Sequence, residues 1–534
     1  MLDLRPDHLQ IVLDILHRHV SDREVWAFGS RAKWTANDTS DLDLCILGEA
    51  PLGFKKIEEL LDAFSESMLP FKVDVVDWAT TAEGFRGIIE RDRVVVQHID
   101  VMGVLPNGTT PPRGLSVDLI RWPLIPAREI FELKYGKALI ESNRCAGKVP
   151  VYGTNGQCGT HNGSLFSGPG VIVGRKGQGP LGVEWCDADY WVIDTAYTLL
   201  PIRPDIDIKY SYFLIKYIGL NHLKDGTSNP TLSRETFGSQ ALPIPPIDHQ
   251  RAIAQVLGAL DDKIELNRRM NADLEAVART LFKDWFVDFG PVRAKAEGRP
   301  AYLVPEIWDL FPDALDDEDK PVGWRNGKLG DYFEAVKGVS YKGSGLSDEG
   351  MPLHNLNSIH EGGGYKYEGI KHYTGDYGER HIVKPGDVIV ANTEQGHDRL
   401  LIGFAAMVPS LFGHQGIISH HIYRLRPKES SSLTAAYLLH LLNSPEMHET
   451  VSGYANGTTV NMLPFAGVQQ PQCIAPPQPL VAVFDSIAIS IAIRREEMEV
   501  ESRTLAQLRD LLLPKLITGE IRVRDAEKAV EAAL

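Results

Sequence analysis

The chain has 534 residues, 43% apolar and 24% charged, with 55 Lys and Arg against 71 Asp and Glu, a formal net charge of −16. At roughly 100 to 200 residues per domain this is several domains, and the balance excludes a disordered or collagen-like chain. Five cysteines with no CxxC pair argue against a disulfide scaffold or a thiolate zinc centre and for a reducing, cytoplasmic setting. The first residues carry acids within an amphipathic stretch, and no run of about 18 uncharged apolar residues occurs, so neither secretion nor membrane spanning is expected.

Net acidity argues at first against nucleic acid, because phosphate neutralisation drives most of that affinity. The charge is uneven, however. Residues 1–100 carry 11 basic and 19 acidic side chains, residues 106–246 carry 14 and 12, and residues 322–475 carry 12 and 14. Two near-neutral segments sit in an acidic frame. That permits DNA binding through local patches, with positive surface borrowed from a partner.

Residues 1–103 read as a small α/β domain. His8 to His19 has helical periodicity, Glu24 to Ser30 and Asp41 to Leu47 read as strands, Phe54 to Ser67 as a helix and Lys72 to Asp77 as a third strand. Asp41 and Asp43 alternate on a strand, so both carboxylates project from one face and can share Mg²⁺ through oxygen ligands. Gly29 allows a tight turn that brings Ser30 and neighbouring N–H groups towards phosphate, and Arg31 either neutralises a triphosphate or is a solvated arginine. Gly29-Ser30, ten residues, then Asp41-x-Asp43 resembles the DNA polymerase β-like nucleotidyltransferases, and their minimal prokaryotic branch most of all. The resemblance implies Mg²⁺ and a nucleoside triphosphate as cofactors, Asp74 as a third carboxylate that helps bind metal or activates the acceptor hydroxyl, and transfer of AMP to a partner protein or to an unidentified acceptor.

A Pro-, Gly- and Thr-rich stretch, 104–114, reads as a linker, and Met102 beside it could start a shorter product. Beyond it the chain looks doubled. Asp225 to Pro246 aligns with Asn456 to Pro477 at an offset of 231 residues, Gly226 on Gly457 and Pro245-Pro246 on Pro476-Pro477, and PGVIVGRKG at 169–177 resembles PGDVIVANT at 385–393. Each half leads into a helix with a heptad seam. In the first the seam is Leu257, Leu260, Ile264, Asn267, Asn271, Leu274, Ala278, Leu281 and Trp285; 231 residues on it is Ala488, Ile491, Arg495, Met498, Ser502, Leu505, Arg509, Leu512 and Leu516. Two such helices can pair antiparallel, a rod of about 45 Å for roughly 30 residues.

Ile244 to Lys295, with its KDWFVDF, and LRDLLLPKLITGEIRV at 508–523 resemble the central and C-terminal regions of type I restriction-modification specificity (S) subunits. The resemblance implies a multidomain α+β chain: target recognition domains at 115–246 and 322–477, spacer helices at 247–290 and 478–518 forming an antiparallel coiled coil, a linker at 291–321 and a tail at 519–534. It further implies that the chain reads a bipartite site on double-stranded DNA and docks two methyltransferase (M) subunits and restriction (R) subunits without itself catalysing. The competing reading makes the nucleotidyltransferase the active part and the repeat a targeting module.

Base and phosphate contacts are expected from polar, Gly-flanked loops, since Asn and Gln suit adenine edges and Arg and Lys suit guanine or phosphate. The candidates are Tyr152, Thr154, Asn155, Gln157, Arg175, Lys176, Gln178 and Lys224 in the first half and Asn355, Asn357, Asn392, Glu394, Gln395, Asn456 and Thr458 in the second. GQGPLG at 177–182 fits a dinucleotide fingerprint but precedes a strand-like segment instead of a helix. Ten of the 17 histidines fall between His354 and His448, without the pairing a zinc site needs.

Overall fold

The computed structural model describes residues 2–20, 23–33, 35–36, 40–48, 50–97, 109–110, 120–396, 398–457 and 460–533. Met102, most of the 104–114 segment and Thr458 lie outside them. The chain divides into two compact units, residues 1–261 with 506–534, and residues 262–505.

The first unit opens with a four-stranded sheet of β1 (Val25–Phe28), β2 (Leu42–Ile46), β3 (Val73–Asp77) and β4 (Val94–Gln97), in the order β3-β2-β1-β4. The pleat sorts the strands by period two. Val25, Ala27, Leu42, Leu44 and Ile46 face α1 (Pro6–Val20) and α3 (Phe54–Ser65), packing on Val12, Leu16 and Leu60. Trp26, Phe28, Cys45 and Val76 face the other way, onto Ile89 of α4 (Glu83–Asp92). Two departures from the sequence reading matter. The first strand ends at Phe28, and Gly29–Ala32 turns at once into the short helix α2. The helix α4 and strand β4, four residues of VVVQ, carry no alternation that would announce them.

The first β-rich domain holds a four-stranded sheet ordered Val183–Cys186, Gly170–Gly174, Ala196–Pro201, Phe131–Tyr135. The second, in the other unit, orders Ala405–Met407, Val388–Ala391, Ile422–Pro427, Phe333–Lys337. Numbered along the chain, the two sheets have the same topology. Each domain adds one parallel strand pair, Trp191 with Val151 and Leu353 with Ile417, and each closes with a two-stranded ladder, Leu124–Pro126 with Ala241–Pro243 and Arg325–Lys328 with Gln472–Ala475. The final elements repeat at the offset of the sequence: short helices begin at Arg234 and Phe465, closing strands at Ala241 and Gln472, long helices at Ile247 and Gln478. The resemblance of PGVIVGRKG to PGDVIVANT marks the corresponding strands Gly170–Gly174 and Val388–Ala391.

The long helices run Ile247–Phe282 and Gln478–Thr518, 36 and 41 residues. No seam position is exposed. Within the second unit the helices pair with opposite polarity. Asn267 Nδ2 donates to Glu501 Oε2 (2.7 Å) and Ser502 Oγ (3.2 Å), and Asn271 Nδ2 donates to the Arg495 carbonyl (3.3 Å). Lys263 pairs with Glu501 at 3.2 Å, and Arg495 with Glu275. In the first unit Arg509 pairs with Asp261 at 2.6 Å.

Residues 291–321 are not an open linker. Trp285 and Phe286 sit in a single turn of π-helix, Lys283–Val287, after which Gly290–Ala296 and Pro305–Trp308 are helical. Val292 and Phe311 enter the same core as Phe282, Trp285, Phe286, Tyr437 and Phe484, so apolar burial holds the segment down. The acidic run of this segment is tied back by Arg293–Asp319 (2.6 Å) and Lys295–Asp313 (3.1 Å). The tail likewise contains a helix, Val523–Glu531, whose Ala526 and Val530 are buried.

Phe484 is fully buried, with ring centroids 5.3 Å from Phe286 and 5.4 Å from Phe282. Truncating a buried aromatic ring costs about 3–5 kcal/mol. Phe484→Ala should therefore lower the unfolding free energy of the second unit by that order, read from the shifted tryptophan-fluorescence transition in a denaturant titration.

Candidate functional site

In the first domain β2 and β3 lie parallel with Asp43 opposite Asp74, so these carboxylates, with Asp41 two residues before, share the face that carries Cys45 and Val76. Gly29 stands against them with φ +76, and a Cβ there would lie 2.2 Å from Asp43 Oδ2. Both the left-handed conformation and the close approach require glycine. Burial first, then the charges of Asp74 and Asp41, raise the Asp43 carboxyl above its ordinary 3.8, and Lys72 opposes them. Lys72 Nζ lies 2.6 Å from Asp74 Oδ1. Among the described residues no three His, Cys, Asp or Glu side chains stand close enough together to hold a metal ion; in this arrangement the local cation is the Lys72 ammonium.

Ser30 follows Gly29 in the first turn of α2. Arg31 does not point at a phosphate position. It is 6% exposed, donates from Nε to the Ser40 carbonyl (2.9 Å) and from Nη1 to the Asp3 carbonyl (3.1 Å), and stacks over Phe71 at 4.0 Å. A guanidinium held by two carbonyls and an aromatic face ties the strand end to the N-terminal segment.

In the first β-rich domain six of the eight expected contacts meet around the loop 175–182. Thr154 Oγ1 donates to the Lys176 carbonyl (2.8 Å), Lys224 Nζ to the carbonyls of Gly177 and Gly179 (3.2 and 2.9 Å), and Gln178 Nε2 to Ser228 (2.8 Å). Arg175 donates to the Asp194 carbonyl (2.8 Å) beneath the Tyr135 ring, and Lys176 pairs with Asp194 at 3.1 Å. Asn155 is exposed beside this loop. Gln157, also exposed, sits on the neighbouring hairpin. Tyr152 is instead a core residue, edge-on to Tyr190 at 6.4 Å. The GQGPLG segment is this loop and runs into strand Val183–Cys186.

In the second domain the expected contacts separate into two kinds. Asn355, Asn392 and Glu394 are buried scaffolding. Asn355 accepts from the Asn357 N–H (2.9 Å), Asn392 Nδ2 donates to the His420 carbonyl (3.1 Å), and Glu394 accepts from the N–H groups of Leu400 and Ile402 (2.9 and 3.0 Å), closing the loop 395–401. Asn357, Gln395 and Asn456 are exposed. Gln395 pairs with Val460 across a short ladder, which places it near Asn456, bridged to Met462.

Residues 11–100 match the family described as Polymerase beta, Nucleotidyltransferase, and residues 121–276 match the Type I restriction modification DNA specificity domain. The chain is 53% identical over 96 residues to the "Probable protein adenylyltransferase MntA" of Haemophilus influenzae, covering 18% of this chain and 84% of that one. It is 25% identical over 411 residues to the HindI type I restriction enzyme specificity subunit of the same organism, covering 65% and 85%. The crystal structure of a type I restriction-modification S subunit from M. genitalium aligns with a TM-score of 0.47 and 16% identity, over 74% of this chain and 96% of that chain. The chain joins a polymerase β-type nucleotidyltransferase domain to a region similar to type I restriction-modification specificity subunits.

Several residues that shape these sites carry no sequence signal. Lys72 in the nucleotidyltransferase domain, and Asp194 and Tyr135 in the specificity region, become visible only through pairing and stacking. The His420 and His421 rings lie 3.8 Å apart with a 40° tilt, and His421 Nδ1 is 3.2 Å from Thr393 Oγ1, an arrangement their adjacency alone does not reveal. Among the described residues no helix is long and apolar enough to cross a membrane.

The raised Asp43 carboxyl is a stability statement. A carboxylate that binds its proton more tightly when folded destabilises the fold at neutral pH, and this penalty disappears as the pH falls through the folded value to the unfolded one. Asp43→Asn should therefore raise the melting temperature of the nucleotidyltransferase domain at pH 7.5. The difference should shrink below the raised value and vanish below about 3.8 in thermal scans across pH.

Proposed function

We propose that this chain is the DNA-reading subunit of a type I restriction-modification complex, with each β-rich domain reading one half of a bipartite double-stranded site. The observation that carries the reading is the repetition itself: two domains of one strand order, each running straight into a long helix at the same offset. The paired helices act as an antiparallel coiled-coil spacer that fixes the number of unread base pairs, as dimer geometry fixes half-site spacing in other DNA readers. Domain boundaries near 115–246 and 322–477 follow from the same repeat. Two M subunits and the R subunits are the partners, and in the second unit the helices still expose Leu266, Met270 and Val277 on one and Ile489, Ile493 and Val500 on the other. Apolar residues at helical spacing outside the seam suit partner helices.

Methylation mapping of a host with and without the gene tests this reading. A split methylated motif should disappear on deletion; loss of a contiguous motif, or no change, overturns it. In pull-downs with the methyltransferase subunits, Leu266→Glu with Val277→Glu should weaken association at least ten-fold while leaving circular dichroism unchanged.

A second activity is favoured by the glycine pressed against Asp43 and by the identity to the adenylyltransferase. The first domain transfers a nucleotide, AMP in the first instance, from ATP to a hydroxyl of a protein acceptor, breaking the α–β phosphoanhydride bond and releasing pyrophosphate. Asp43 and Asp74 face each other across β2 and β3 with Asp41 two residues before, yet in this arrangement no three acidic side chains among the described residues stand close enough together to hold a metal ion. Asp41 and Asp43 are the residues that would meet Mg²⁺ arriving with the nucleotide, whose charge would neutralise the triphosphate. Ser30 and the N–H groups after Gly29 would bind phosphate, and Asp74 would orient the acceptor hydroxyl or take its proton. With labelled ATP and Mg²⁺ the chain should label a partner protein, and Asp41→Ala with Asp43→Ala should abolish the label. Unlabelled partners with the unmodified chain would overturn this activity and leave the DNA-reading proposal untouched.

A further inference from the structure

Resting on the DNA-reading proposal, we propose that His421 is a base-reading residue of the second β-rich domain: its Nε2 accepts a hydrogen bond from the exocyclic amino group of an adenine or cytosine in the major groove. The hydrogen bonds on the other side of the ring fix that role. Asn392 Nδ2 donates to the His420 carbonyl (3.1 Å), which leaves Asn392 Oδ1 to accept the Thr393 hydroxyl proton (2.7 Å). A hydroxyl has one proton to give. Thr393 Oγ1 can therefore only accept from His421 Nδ1, 3.2 Å away, so the proton of the neutral ring sits on Nδ1 and Nε2 carries a lone pair. Burial first, then the charges of His420 and Lys337, hold the ring below its ordinary 6.5, which keeps it neutral. In the major groove adenine N6 and cytosine N4 are donors, whereas guanine O6 and thymine O4 are acceptors that a lone pair repels.

The ring is held but not used up. The His420 ring lies against it, with Tyr341 edge-on to His420 at 6.2 Å. Among the described residues no group bonds His421 Nε2, and two polar atoms beside it, Ser419 Oγ and His420 Nδ1, are withdrawn from solvent without partners. Folded proteins satisfy nearly all such atoms, so spare capacity in three consecutive residues marks a place that a ligand completes. Thr393 also opens the short strand that carries exposed Gln395 and ladders beside Asn456.

The first domain is an internal control. Three main-chain bonds recur in both: Gly136 N–H to Ala196 and Gly338 N–H to Ile422 (3.3 and 3.4 Å), Lys137 to Val192 and Val339 to Ile418 (2.8 Å each), Arg175 to Thr195 and Asn392 to His421 (3.0 Å each). The positions of His420 and His421 are thus held by Asp194 and Thr195 in the first domain. The shared scaffold needs no imidazole here, and two domains that read different half-sites need different chemistry at such a position.

The test is selection from a duplex DNA library with randomised positions by the full chain assembled with its methyltransferase subunits, the bound sequences being read. At one position of the half-site read by the second domain the unmodified complex should prefer a base bearing an amino group. His421→Phe should reduce that preference about five-fold, the size of one hydrogen bond, with every other position unchanged. Thr393→Val, which removes the acceptor of the Nδ1 proton and keeps the packing, should blur the same position, and it decides the question where His421→Phe does not fold. An unchanged preference in both variants, or an even loss across the half-site, overturns the assignment. If the unmodified complex enriches no split motif, the DNA-reading proposal itself fails and takes this assignment with it.

Discussion

Burial of one apolar seam per long helix is the constraint on which the rest of this molecule depends. Each β-rich domain has a closing strand that passes through a Pro-Pro step into a helix, and helices of 36 and 41 residues draw most of their stability from packing an apolar face, not from intrinsic propensity. They persist because Leu257, Leu260, Ala278 and Trp285 on one, and Met498, Leu505, Leu512 and Leu516 on the other, are withdrawn from solvent. Polar interruptions refine this. Asn267, 1% exposed, donates to Glu501 and Ser502, and only one alignment of the partner helix supplies those acceptors. A sliding register would strand a buried amide, at a cost of about 1–3 kcal/mol. Apolar area supplies the adhesion, and the asparagine supplies the alignment.

The front domain obeys an opposite constraint. Its strand end collects like charges, which no folded protein gains from by itself. Asp41, Asp43 and Asp74 remain close because the sheet register fixes them, because Gly29 leaves room, and because Lys72 neutralises part of the charge. A carboxylate held above its ordinary range on a well-formed strand is the kind of local disadvantage that sites of phosphoryl and nucleotidyl chemistry carry. The fold around it tolerates the strain through an apolar sheet buried on both faces.

The parts of this architecture that were legible in the sequence rest on spacing. The Gly-Ser and Asp-x-Asp pattern fixes which strand carries the acids, the 231-residue offset fixes that there are two similar domains, and the seam residues turn inward as their periodicity requires. Side-chain direction in loops was not legible. Asn355, Asn392 and Glu394 have the composition of base readers, yet each is consumed by backbone groups, because a loop that leaves a strand must satisfy its N–H and C=O groups somehow. Arg31 follows Gly29 but turns to Ser40, Asp3 and Phe71. The strand Val94–Gln97 was missed because four residues are too short for any period to register, and the helices within 291–321 because a Pro-rich, acidic composition hides Val292 and Phe311.

The same distinction bears on how an acidic chain could engage DNA. In the first β-rich domain the cations near the candidate loop are largely occupied. Lys224 binds two carbonyls and Lys176 binds Asp194, so both shape the loop more than they offer charge. What remains turned outward is neutral and polar: Asn155 and Gln157 there, Asn357, Gln395 and Asn456 in the second domain. Such residues discriminate bases but release few counterions, and counterion release is the main source of affinity. Under the proposed function this chain contributes selection, and the strength of binding with its salt dependence has to come from the positive surfaces of the subunits that assemble on the helices.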